Sequence, residues 1–287
     1  MKASERPRRP AGRTLLLAPA VILVTAAVLV PTFIALVDSF QNETGWTAAN
    51  YASFFLTAPY PQVLLNTLSI AFVVTAVSIV IAAPVAAFLS RESSGIAGTA
   101  FGIIAASLWI PILVKTYSWE VLLAKQGPIN ALLVGAGLIH EPLPLLFTRG
   151  AVILAMTQVM VPYAATIMYA GMRRVDWELI VAARTLGASL WMVFVHVYWP
   201  QVRFTVVMAS FIVFVVASSF FVTPALLGGP REIMLGMQMH TDLVNRYESG
   251  MAATTGVVLT VILGLAAWLS LKASGTSFRR AATEFAR

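Results

Sequence analysis

The sequence contains no cysteine, which excludes disulfides, thiolate metal sites and cysteine nucleophiles and leaves the redox compartment open. Charge is also scarce. Only 11% of the 287 residues are charged, with 12 acids, 19 bases and 3 histidines, against about 25% charged in soluble domains. The histidines, His140, His196 and His240, lie in segments that the topology below puts on different sides, so they gather no metal or catalytic cluster. No Gly-x-x-x-x-Gly-Lys-Ser/Thr stretch is present, so any use of ATP requires another chain to hydrolyse it. The net charge of +7 and pI near 10.1 do not point to nucleic acid, because no basic face with interleaved aromatics stands clear of the apolar segments. No cofactor and no metal are expected.

Apolar residues are abundant: they make up 59% of the chain, and mean hydropathy is +0.84. This is the composition of an integral membrane protein. Six uncharged or nearly uncharged runs can be counted, at about 14–37, 63–89, 98–118, 150–171, 201–224 and 251–271. Each is long enough to cover about 30 Å of hydrocarbon as a helix, and none shows the alternation over about 10 residues of a barrel strand. The expected fold is therefore all-α, a polytopic bundle of six transmembrane helices. The first run follows a basic N-terminus, as a signal peptide would, but it is longer than a signal core and lacks an A-x-A exit, so a retained anchor is expected.

Lys and Arg set the orientation. The N-terminus (Lys2, Arg6, Arg8, Arg9, Arg13), Arg91, the stretch with Arg173, Arg174, Arg184 and Arg203, and the tail (Lys272, Arg279, Arg280, Arg287) hold 14 of the 19 bases. Both termini, as segments 1–13 and 272–287, and the stretch 172–200 are expected in the cytosol, with 14–271 forming the membrane domain. Among the outer loops, Asn42 to Gln62 carries aromatics suited to the headgroup level or to ligand stacking, and Ile129 to Ile139 suits a re-entrant or interfacial helix. Leu226 to Gly250 is a docking or gating loop or a plain connector. Pro84, Pro111 and Pro162 inside spans suggest bends. Gly98 and Gly102 form a G-x-x-x-G that permits close helix packing.

The least membrane-like internal stretch is 172–200, MRRVDWELIVAARTLGASLWMVFVHVYWP. Asp176 is a suitable N-cap, and Glu178 complements the dipole of a helix starting at Trp177. Leu179, Ala182, Ala183 and Leu186 share a shallow apolar face, with Arg184 pointing elsewhere. About ten residues form a marginal helix in water, so this one needs a surface to dock on. Gly187 permits a turn, and Leu190 to Val197 is expected to form a second short helix before Pro200 opens the next span.

Ala182-Ala183, Gly187, Val197 and Pro200 resemble the E-A-A-x3-G-x9-I-x-L-P loop of ABC importer permeases. The likeness extends through Asn66-Thr67-Leu68, Tyr117-Ser118-Trp119, Gly127-Pro128-Ile129-Asn130, Leu186-Gly187-Ala188-Ser189 and Leu226-Leu227-Gly228-Gly229, and is nearest to the spermidine/putrescine type. The resemblance implies a bacterial inner-membrane permease that does no chemistry. It also implies a cytosolic ABC ATPase dimer engaged through a coupling helix, a second homologous permease or a second copy, and an extracytoplasmic substrate-binding protein. Asp176, Glu178, Ala182, Ala183, Arg184, Gly187 and Pro200 would form the coupling site. The chain departs from the pattern at Val181, where the acid is expected, and at Trp199, where the Leu is expected. Glu178, one turn earlier, is the nearest substitute acid.

For a polycationic solute the path should offer carboxylates and aromatic faces. Glu120, beside Tyr117 and Trp119, meets that requirement, followed by Asp38; Asn66 is a further polar group inside a span. Each has a plain alternative, as a helix-end residue at the water boundary or, for Asn66, a helix–helix hydrogen-bonding residue. A different solute or ion carried by the same kind of permease is the alternative cargo. A membrane-embedded enzyme or a passive channel is the alternative class, and neither requires an ATPase partner.

Overall fold

A computed structural model of the chain describes residues 11–42, 45–92 and 95–273. The expected cytosolic segments before residue 11 and from 274 onward lie outside the described residues. The order of elements begins with α1 (Ala11–Asp38), a small antiparallel pair β1 (Gln41–Asn42) and β2 (Gly45–Trp46), α2 (Ala49–Leu56) and α3 (Tyr60–Arg91). It continues with α4 (Gly95–Ala106), α5 (Ile112–Leu123), α6 (Pro128–Gly135), α7 (Arg149–Met172), α8 (Trp177–Thr185) and α9 (Leu190–Val193). It ends with α10 (Trp199–Ser218), α11 (Val222–Leu227), α12 (Leu235–His240) and α13 (Ser249–Ala273).

Among the described residues four continuous helical runs are long and apolar enough to cross a membrane: Tyr60–Arg91, Arg149–Met172, Leu190–Ser218 and Ser249–Lys272. A fifth candidate is a bent pair, Gly95–Trp109 with Ile112–Gly135, turned by 94°. The core is where α3, α7 and α10 meet. Small residues allow the backbones to approach: Ala71, Ala82 and Ala86 of α3, Ala155, Ala164 and Ala165 of α7, and Ala209 and Ala217 of α10 are all buried. Met156, Met160 and Met168 fill the remaining gaps with flexible side chains.

Four expectations need correction. The run 98–118 is not one straight helix. Ile110 adopts an extended backbone (ψ 124°) ahead of Pro111, as the steric demand of a proline on its predecessor dictates, and α5 leaves in a new direction. By contrast, the helices run on through Pro84 and Pro162. The run 201–224 is likewise interrupted, because α10 ends at Ser218 and α11 is a separate turn starting at Val222. Nor does a break precede Pro200. A π turn over Phe194–Tyr198, in which the Trp199 N–H donates to the Phe194 carbonyl, joins α9 to α10. Its wider spacing accommodates a residue that has no N–H of its own to donate. The G-x-x-x-G expectation also fails within the chain, since a Cβ on Gly98 or Gly102 would meet nothing within 4 Å.

Candidate functional site

The segment after α7 builds a short helix held on one side only. Asp176 caps it as expected: its Oδ1 accepts from the N–H groups of Glu178 (3.0 Å) and Leu179 (3.4 Å). The Asp176 N–H in turn donates to Gln201 Oε1 at 2.8 Å, tying the cap to the start of α10. Trp177 and Ile180 pack on the core. The Arg91 guanidinium lies 5.3 Å from the Trp177 ring centre, and the Tyr198 ring is 6.0 Å away on the same indole. The other end closes with the Ala188 N–H donating to Ala183 and the Gly187 N–H to Arg184, a Schellman pair that requires the left-handed φ of +84° found at Gly187. Arg184 also donates to the Ala188 carbonyl at 3.3 Å.

Among the described residues, little packs on the opposite side of α8. Leu179, Val181 and Ala182 are exposed, and Leu186 is 89% exposed. Leu190, Trp191 and Met192 continue the same apolar surface. Of the anticipated face, Leu179, Ala182 and Leu186 point away from the bundle and Ala183 is half-buried, while a second face, Trp177 and Ile180, anchors the helix. Glu178 is exposed and forms no ion pair; the salt bridge present among the described residues is Arg246–Asp242 at 3.4 Å. Pro200 sits in the first turn of α10, inside the continuous run.

The five path residues are not gathered in one place. Tyr117 is exposed on α5, whereas Trp119, two residues on, packs against the core. Glu120 is half-buried, and its Oε2 is enclosed without a hydrogen-bond partner. Asp38 ends α1. Asn66 Nδ2 donates to the carbonyls of Arg231 (3.2 Å) and Ile233 (2.9 Å). Beside it Thr67 Oγ1 accepts from the Leu235 N–H at 2.8 Å. A polar cavity of about 750 Å³ lies elsewhere, lined in part by Gln41, Asn50, Tyr60, Arg246 and Glu248.

Several groups in and around these sites carried no signal in the sequence. Arg91, Trp177 and Gln201 had no motif to mark them. Lys115 is 8% exposed with no acid within salt-bridge distance, next to Thr116, whose hydroxyl is 3.1 Å from that of Thr223. Asp242 is fully buried. Its Oδ1 accepts from Gln238 Nε2 at 2.8 Å and from Arg246, and it faces Tyr60 and Glu248.

Burial raises the Asp242 carboxyl above its ordinary range, against the opposing pull of Gln238, Tyr60 and Arg246. A raised folded-state pKa means that the folded form holds the proton more tightly. The stability associated with it is complete below the usual carboxylate range and is lost as pH rises through the folded value. Asp242→Asn should therefore raise the thermal midpoint at pH 8, and the difference from the parent should shrink at pH 5. A midpoint lowered at both pH values would mean that the ion pair outweighs the desolvation.

No family model matches the chain. The spermidine/putrescine transport system permease protein PotB of Salmonella typhimurium strain SL1344 is 26% identical over 254 residues, covering 88% of each chain. That of Escherichia coli strain K12 is 25% identical over 245 residues, 85% of this chain and 89% of the relative. The inner membrane ABC transporter permease protein YdcU of E. coli K12 is 30% identical over 233 residues, 76% of this chain and 73% of the relative. The chain belongs to the ABC transporter permeases. As such a permease it is a transport subunit rather than an enzyme, and a multi-pass protein of the bacterial inner membrane. Solved structures agree on the permease fold. A chain of a bacterial alginate ABC transporter in complex with a periplasmic protein superimposes with TM-score 0.76 at 16% identity, covering 92% of this permease and 95% of that chain. One of the inward-facing MetNI methionine ABC transporter does so with TM-score 0.54 at 19% identity, covering 76% and 97%.

Proposed function

We propose that this permease forms half of a solute path, pairing with a second homologous permease or a second copy of itself, and takes up a polyamine delivered by an extracytoplasmic binding protein. A cytosolic ATPase dimer drives it through the segment 172–200. The observation that carries the coupling role is the outward apolar surface of α8 and α9, built on a helix whose other face is already anchored. Asp176 and Gly187 shape that helix, Ala182 and Ala183 let a partner come close, and Glu178 and Arg184 flank the contact. The polyamine reading is supported by the names of the relatives aligned over most of the chain. In this reading there are six spans: α1, the four continuous runs and the bent pair, with both termini in the cytosol. The excess of Lys and Arg on that side supports the orientation. In this reading Tyr117, Glu120 and Asp38 border different parts of the path, Trp119 packs on the core beside Glu120, and Asn66 acts by holding residues 231–233.

Reconstitution of the whole complex in proteoliposomes tests both levels. Binding proteins loaded with spermidine or putrescine should stimulate ATP hydrolysis. Stimulation by a binding protein for another solute instead would replace the cargo and leave the transporter. A chain that recruits no ATPase would remove the coupling role itself.

A further inference from the structure

Resting on that coupling role, we propose that α3 is the rigid member that carries the state of α8 across the membrane to the outer loop following α11. It is a single unbroken helix of 32 residues, about 48 Å long at 1.5 Å per residue, so it spans the bilayer with ends to spare. Each end is fastened to one of the two parts that must move together.

At the cytosolic end Arg91 covers the indole of Trp177, the first residue of α8. Arg91 is exposed and Trp177 half-buried, and a flexible arginine side chain can keep its guanidinium over the ring face, within about 6 Å, as α8 tilts. At the outer end Asn66 and Thr67 make three hydrogen bonds to the backbone of the loop at Arg231, Ile233 and Leu235, and Thr67 is fully buried. Tyr60, in the first turn of α3, faces Asp242 of the same loop region. Between the ends, Ile70, Ala71, Val74, Ala82 and Ala86 are completely buried. These residues tie one face of α3 to the close-packed core along its length, so the helix moves with that contact.

The loop is attached to α3 at residues 231–235, while its start packs on α11 and on the return before α7. Its start is close-packed: a Cβ on Gly228 would lie 2.5 Å from the Pro224 carbonyl, and one on Gly229 would lie 2.7 Å from that of Phe147. The Gly229 N–H donates to Glu232 at 2.9 Å. The continuous run Leu190–Ser218 is a poorer transmitter. It also begins beside α8, but it contains the π turn at Phe194–Tyr198 and stops at Ser218, before α11 and the loop. α7 also runs unbroken from just before α8 to Val152, beside Gly228, but among the described residues it is α3 whose side chains hydrogen-bond the loop at residues 231–235. A displacement of α8 by the ATPase is therefore delivered through Arg91 to α3, and through Asn66 and Thr67 to residues 231–235, which open or close the outer side of the path.

The absence of cysteine allows a direct test. Spin labels on Trp46→Cys and Arg231→Cys, both at exposed positions, report the distance between the hairpin after α1 and the outer loop. The full chain is measured in its complex with the ATPase and partner permease, nucleotide-free and trapped with ADP and vanadate. The parent should show a nucleotide-dependent change in distance. Arg91→Ala and Asn66→Ala should each reduce that change by roughly twofold or more, and Arg91→Lys, which keeps a cation over the indole, should restore it. Arg91 is exposed, so this arm stands even where Asn66→Ala disturbs folding. An unchanged distance in the parent, or an equal change in parent and Arg91→Ala, overturns the role of α3 while the coupling role stands. Absence of the ATPase from the purified complex overturns both.

Discussion

Leu186→Asp should strip the ATPase subunit from the purified complex while leaving the stability of the permease itself within about 0.5 kcal/mol of the parent, as is usual for exposed positions. The side chain is 89% exposed, at the end of α8 just before the left-handed Gly187, and it makes no inward contact for the substitution to remove. On a docked ATPase the same position would lose the burial of a leucine, about 1.5–3 kcal/mol, and would force an unpaired carboxylate out of water at further cost. A loss of 3 kcal/mol alone weakens docking by roughly a hundredfold or more. Co-purification and a titration of ATPase against the reconstituted permease measure it. Glu178→Ala is the informative control. An exposed ion pair contributes only about 0–1 kcal/mol, so recovery of the ATPase should fall severalfold at most. Full retention of the ATPase by Leu186→Asp would move the docking surface away from α8.

The helical class was legible because long apolar runs have one solution in lipid, where each backbone polar group must find its partner within the segment. The Asp176 cap and the Gly187 turn were legible for a similar reason, since both answer local demands of the backbone. Position along a span was less so. The resistance of Ile110 to a helical backbone ahead of Pro111 turned an expected span into two helices, yet Pro84 and Pro162 did not have this effect. A proline states that one N–H is missing, and the surrounding packing decides whether the helix ends there. The path residues show the deeper limit. Tyr117 and Trp119 are neighbours in sequence, but a two-residue step on a helix turns them to different sides, so one is exposed and the other enters the core. Asn66 left a solute contact and a helix–helix hydrogen bond both open, because the partners of its Nδ2, at Arg231 and Ile233, lie more than 160 residues away. Arg91 over Trp177 and Gln201 at the Asp176 cap are also pairings between separate segments, and no local pattern announces them.

The same logic gives Asn130 a larger role than its place in the short helix α6 suggests. Gly127-Pro128-Ile129-Asn130 was notable only as part of a resemblance, but the structure supplies its reason. Asn130 is 1% exposed. Its Nδ2 donates to the carbonyls of Ala124 (3.1 Å) and Leu143 (3.0 Å), and its Oδ1 accepts from the Leu143 N–H (2.9 Å). One side chain thus holds the end of α5, the short helix α6 and the proline-rich return before α7 in register. Asn130→Leu, similar in volume, would leave two backbone carbonyls and an N–H without this partner. At about 1 kcal/mol for each bond, with more for groups that remain buried and unpaired, the loss should come to roughly 3 kcal/mol. The thermal midpoint should fall by about 6–12 °C if the domain follows the scaling of chains of this size. Trypsin should also cut faster at Lys125, which is exposed one residue beyond the Ala124 carbonyl. Asn66→Ala, which loses two bonds, one of them exposed, should cost less than half as much. If Asn130→Leu left both the midpoint and the Lys125 cleavage rate unchanged, Pro128 and the packing of α6 would be sufficient to fix the return, and the three hydrogen bonds would be incidental to it.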